Sequence, residues 1–116
     1  MIPDFSGDIY DTPHDRRDLC TKLLGDFRFN LYFRIYHNFY RVAKCARRGG
    51  LDRSNQAHYS VRNADILERC GAKIHLRGMA NLSLEPGPFV IAGNHMSAIE
   101  TILLNAVISP RLDFTF

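Results

Sequence analysis

Long apolar runs, paired cysteines and, over one stretch, acidic residues are what this 116-residue chain lacks. No run approaches the ~18 apolar residues of a membrane-spanning helix, so none is expected. The three cysteines, Cys20, Cys45 and Cys70, are odd in number and far apart. No Cys-x-x-Cys or Cys/His ligand spacing occurs, which argues against a disulfide framework and a metal centre. Reduced thiols in a cytoplasmic setting are the simpler expectation. The N-terminus carries Asp4, Asp8, Asp11, Asp15 and Asp18 and lacks the basic-then-apolar order of a signal peptide. No internal repeat or low-complexity tract appears, and no Gly-x-Ser-x-Gly elbow, which disfavours a hydrolase triad.

Residues 27–48 contain no acid but carry Arg28, Arg34, Arg41, Lys44, Arg47 and Arg48, so the modest net charge of +3 conceals a strong asymmetry. Helical spacing puts Phe29, Tyr32, Phe33, Tyr36, Phe39, Tyr40 and Ala43 on one face. It puts Arg34, His37, Arg41, Lys44 and Arg48 on the other. That pattern suits a helix lying in a membrane interface. It equally suits a core-facing aromatic stripe backed by a solvated basic face. Tyrosine prefers places where one end of the ring is dry and the other wet. No RNA- or DNA-binding motif accompanies the patch, and nucleic acid is not an expected partner.

Residues 1–11 read as an irregular leader. Thr12-Pro13-His14-Asp15 has the chemistry of a helix start, and Gly25-Asp26 interrupts or bends the helical stretch after it. Gly49-Gly50 closes the basic helix. A further helix spans 54–70, with Ala57, Val61, Ala64 and Leu67 inward and Gly71 past its end. Ile74 and Leu76 alternate with His75 and Arg77 as in a half-buried strand. Residues 85–88, Glu-Pro-Gly-Pro, form a turn. Residues 89–92 read as a buried strand, 98–108 as a helix stopped at Ser109-Pro110, and 112–116 as another strand. Strand, helix and strand in this order imply a parallel βαβ unit with a right-handed crossover. The fold expected is α/β: N-terminal leader and helices over 1–70, then a partial, mainly parallel sheet over 71–116. One crossover helix covers only one sheet face, so the chain is expected to be the N-terminal part of a larger domain.

The candidate site is the run Gly93-Asn94-His95-Met96-Ser97-Ala98-Ile99-Glu100. Ligands of open α/β sheets bind beyond the carboxyl ends of strands, where a strand over 89–92 would put His95. A carboxylate one turn into the next helix can reach back to the imidazole, fix its tautomer and leave the other nitrogen free to take a proton. By spacing alone, a capping or otherwise satisfied histidine is the commoner reading. Asn94 and Ser97 read locally as turn and N-cap residues.

The residues 76–82, Leu-Arg-Gly-Met-Ala-Asn-Leu, then 87–97, Gly-Pro-Phe-Val-Ile-Ala-Gly-Asn-His-Met-Ser, then Glu100, together resemble the glycerolipid acyltransferases of the lysophosphatidate acyltransferase type. The first motif of that family is Asn-His, four residues, then Asp. The resemblance covers about residues 70–116. It implies a base, His95, that deprotonates the hydroxyl of a lysophospholipid or glycerol phosphate for attack on the thioester of acyl-CoA or acyl carrier protein. Glu100 would orient the base in place of the family's Asp, at the cost of one extra methylene. Asn94 and Ser97 become substrate-binding candidates. No further cofactor is implied. The resemblance also implies work at the cytoplasmic face of a membrane as a peripheral protein, with Phe29, Phe33, Tyr36, Tyr40, Arg34, Arg41 and Lys44 at the interface. The family's later Glu-Gly-Thr-Arg type segment, which binds the acceptor phosphate, has no counterpart before Phe116. The alternative is a non-catalytic membrane-surface module that uses residues 27–48.

Overall fold

The central helix has the clearest punctuation in the sequence, and the helices on either side of it in the chain order pack against it. Asp52 takes the N-cap of α3 (Arg53–Arg69), its carboxylate accepting the Asn55 N–H at 2.8 Å. Gly71, at φ 98°, turns the chain out of the helix where a side chain would be strained. Ala64 and Leu67 are buried and Val61 packs on the core, at the spacing expected of an inward stripe. The computed structural model describes residues 2–24, 28–83, 88, 90–109 and 111–112.

The N-terminal segment crosses α3 and forms β1 (Tyr10–Asp11), which pairs antiparallel with β2 (His75–Leu76), Tyr10 opposite Leu76. Thr12 does not start a helix. Its hydroxyl accepts the Ile74 N–H at 2.7 Å and lies 2.7 Å from Glu68 Oε1, to which it donates. A residue with the chemistry of an N-cap is used here as a clamp between distant parts of the chain. The first helix, α1 (Leu19–Leu24), begins later, where Asp18 accepts the Thr21 N–H at 2.9 Å. The interruption expected at Gly25-Asp26 lies outside the described residues.

The Glu68 carboxylate is fully enclosed and accepts from Tyr10 Oη, Thr12 Oγ1 and Arg16 Nη1. Arg16 also donates to Asp65 Oδ1 at 2.7 Å. A buried charge is tolerated only when paired and hydrogen-bonded, and this one has all its partners in the N-terminal segment. Burial, then the Glu68 hydrogen bond, push the Tyr10 phenol up to about 12. The core beside this clamp joins Phe5, Ala64, Ile74, Met79, Ala106 and Val107, drawn from both sides of residue 70.

The basic helix, α2 (Arg28–Arg47), ends in a left-handed glycine, Gly49 at φ 69°, whose N–H meets the Ala46 carbonyl at 2.9 Å. The last helix, α4 (Ala98–Ile108), has the bounds expected for it. Its buried residues Ala106 and Val107 join the core built on α3.

The α/β expectation is therefore corrected: the described residues are 57% helix and 4% strand, and they form one two-stranded antiparallel sheet and no parallel pair. Two physical facts account for the error. The apolar run of α4 is satisfied by another helix rather than by a sheet, and periodicity cannot tell these apart. Residues 90–92 form no strand, and Val90 is 94% exposed, the opposite of a buried central strand. Phe89, most of the turn at 85–88 and the strand expected over 112–116 lie outside the described residues, apart from Pro88 and Leu112. The 3₁₀ turn Met79–Ser83 follows β2 and anchors Met79 in the core.

Candidate functional site

His95 sits on the irregular connector that leads into α4, with no strand before it among the described residues of that connector. Its Nδ1 lies 3.8 Å from Glu100 Oε2, within ion-pair range and beyond a hydrogen bond. The same Glu100 oxygen accepts the backbone N–H of Met96 at 2.6 Å and of Ser97 at 3.2 Å. Ser97, with extended backbone, is the N-cap residue of α4. Glu100 therefore closes the helix start while standing beside the imidazole. The Met96 and Ser97 amides, and then the neighbouring His95, hold its carboxyl below the usual glutamate value. Both side chains are open to solvent, His95 at 71%. Asn94 is exposed on the same connector. The structure thus brings His95, Asn94, Ser97 and Glu100 together at one helix N-terminus.

The interface candidates on α2 divide in a way the sequence did not show. Phe33 is 73% exposed and Tyr36 78%, and Phe29, Tyr32, Phe39 and Tyr40 are exposed beside them. The aromatic stripe does not face the core. The helix is held instead by a polar stripe at four-residue spacing. Asn30 Nδ2 donates to Thr21 Oγ1 at 3.2 Å. Arg34 pairs with Asp18 at 2.5 Å and donates to Asn30 Oδ1 at 2.9 Å. Asn38 Nδ2 donates to the Tyr59 carbonyl at 3.0 Å and to Asn63 Oδ1 at 2.7 Å. Asn38 is the one buried residue of α2. Arg34, expected on an outward basic face, points into the chain, while Arg41 and Lys44 border a groove against α3 together with His37 and Arg48. Asn30 and Asn38 were the missed signal: two asparagines eight apart, with Arg34 midway, mark a polar packing stripe.

Among the described residues no helix is long and apolar enough to cross a membrane, and no three His, Cys, Asp or Glu side chains gather as metal ligands do. Comparison with protein families, curated proteins and solved structures returns no match.

Proposed function

We propose that this protein transfers an acyl group from acyl-CoA or acyl carrier protein to the hydroxyl of a lysophospholipid or glycerol phosphate, at a membrane surface. The observation that carries the reading is the juxtaposition of His95 and Glu100, 3.8 Å apart within an Asn-His-x-Ser run, in solvent reach at a helix N-terminus. His95 Nε2 takes the proton of the acceptor hydroxyl. The oxygen attacks the thioester carbon, the carbon–sulfur bond breaks, and the proton passes to the departing thiolate. Glu100 favours the Nδ1–H tautomer and the imidazolium that forms. The amides of Met96 and Ser97 hold Glu100 ionised for that task. General-base help of this kind contributes about 10²–10⁴ in rate. The test is acyl transfer from labelled acyl-CoA to lysophosphatidate: His95→Ala is expected to lose turnover by that factor with its vesicle binding unchanged. Turnover equal to wild type sinks the reading.

A second reading, a non-catalytic membrane-surface module, is favoured by the exposed aromatic face of α2. A helix anchored through asparagine and arginine leaves its apolar face for another medium, and an interface that is apolar below and anionic above matches aromatics flanked by cations. It differs from the first in one result: vesicle binding lost on Phe33→Ser/Tyr36→Ser, with no acyl transfer by the unaltered protein.

A further inference from the structure

Between the C-terminal half of α2 and the first turns of α3 lies a groove of about 570 Å³. His37, Arg41, Lys44 and Arg48 line it from α2 and the residue beyond it, and Asn55 and Tyr59 line it from α3. None of the lining residues is a carboxylate. Several cations elsewhere in the fold stand against acids: Arg34 against Asp18, Arg16 and Arg69 against Asp65, Arg77 against Asp11. A neighbouring cavity of about 420 Å³ between the same helices is also rich in arginine, but Asp65 lines it. The groove is thus a place lined by three strong cations with no acid among its described lining residues. Such a concavity raises the local concentration of anions.

We propose that this groove receives the phosphate of an anionic lipid headgroup, with Arg41, Lys44 and Arg48 as its counter-charges. Guanidinium forks match phosphate oxygens in pairs, and the ammonium of Lys44 adds a point charge. Tyr59 lines the opposite wall. The lipid source is favoured over a soluble one by Tyr40, which both lines the groove and belongs to the exposed aromatic stripe. A headgroup held there belongs to a molecule whose acyl chains run beside Tyr36 and Phe33. The proposal rests on the membrane-surface reading and replaces a diffuse basic face by one saturable pocket, from which Arg34 is absent.

Sedimentation with vesicles tests it, using phosphatidylcholine alone and phosphatidylcholine with phosphatidate. Arg41→Gln/Arg48→Gln is compared with Arg28→Gln/Arg47→Gln, which removes the same charge from α2 outside the groove. At about fivefold per cation held against the headgroup phosphate, the groove pair is expected to lower partitioning about 25-fold. The control pair is expected to lower it only a few-fold, with the helical circular dichroism of both retained. Saturating inorganic phosphate is expected to weaken the wild type and leave the groove variant unaffected. Equal losses in the two pairs overturn the groove and leave the membrane-surface reading in place. No vesicle binding by the wild type overturns both. Phosphate binding without vesicle binding, or salt-sensitive binding to RNA in place of vesicles, overturns the lipid assignment. Turnover is not read in any arm, so failure of the acyl-transfer reading is scored separately.

Discussion

Replacing Glu68 by alanine removes the carboxylate that ties the first sixteen residues to α3. Its side chain has no exposure, and it gathers the Tyr10 hydroxyl at 2.7 Å, the Thr12 hydroxyl at 2.7 Å and the Arg16 guanidinium. Breaking a buried pair from one side costs about 3–5 kcal/mol, because the remaining charge is left uncompensated. Arg16 retains Asp65 at 2.7 Å, which keeps the loss toward the lower end, about 3 kcal/mol. Domains are stable by only about 5–15 kcal/mol, so the variant sits close to the edge of folding. Glu68→Gln keeps the volume and an acceptor for the hydroxyls, and is expected to cost less than Glu68→Ala. Urea denaturation followed by helical circular dichroism reads both values. In the double-mutant cycle with Arg16→Ala, the paired substitution should cost less than the sum by about 1 kcal/mol or more. A Glu68→Ala protein within about 0.5 kcal/mol of wild type would refute the clamp, since that is the range of surface substitutions without partners.

Gly49→Ala tests the end of α2 alone. An added Cβ would meet nothing within 4 Å, so the cost is the left-handed backbone, about 1 kcal/mol by denaturation. Gly78→Ala should cost more, because its Cβ would also stand 3.0 Å from Asn81 Nδ2. Tyr10 has its folded pKa raised from 10.0 to about 12, so its contribution is complete below pH 10 and is lost as pH climbs toward 12. Tyr10→Phe should be less stable at neutral pH and show a smaller further loss over that alkaline window. Glu100 has a depressed pKa, so its support for the start of α4 is present at neutral pH and lost as acid protonates it. Glu100→Gln should remove that acid-dependent fraying, read from amide exchange at Met96 and Ser97. Fraying that persists unchanged in the variant would contradict the assignment.

Helix bounds were legible wherever a local stop signal existed. Gly49 and Gly71 ended α2 and α3 where the sequence put the ends, and Asp52 and Ser97 sit at the starts of α3 and α4. Long-range pairing was not legible. Thr12 has the chemistry of a cap, yet its partners are Glu68 and Ile74, more than fifty residues away. The hydrophobic pattern around residues 89–108 fits a βαβ unit as well as a helix packed on a helix, and only tertiary contact distinguishes them. The His95–Glu100 proximity follows from one helical turn and was legible. That Glu100 spends its oxygen on two backbone amides was not, although Ser97 three residues before it carries the capping pattern. The aromatic stripe of α2 was legible as a stripe. Its outward direction was decided by Asn30, Arg34 and Asn38 finding partners on α1, Asp18 and α3.

Both functional readings share one claim, that α2 lays its aromatic face into a lipid interface. The chain contains no tryptophan, so Phe33→Trp places a single reporter on that face. Its fluorescence, recorded with vesicles containing phosphatidate and then with brominated acyl chains, is the most direct measurement. A blue shift on adding vesicles and quenching by the brominated chains are expected. An unshifted, unquenched emission from vesicle-bound protein would contradict that claim.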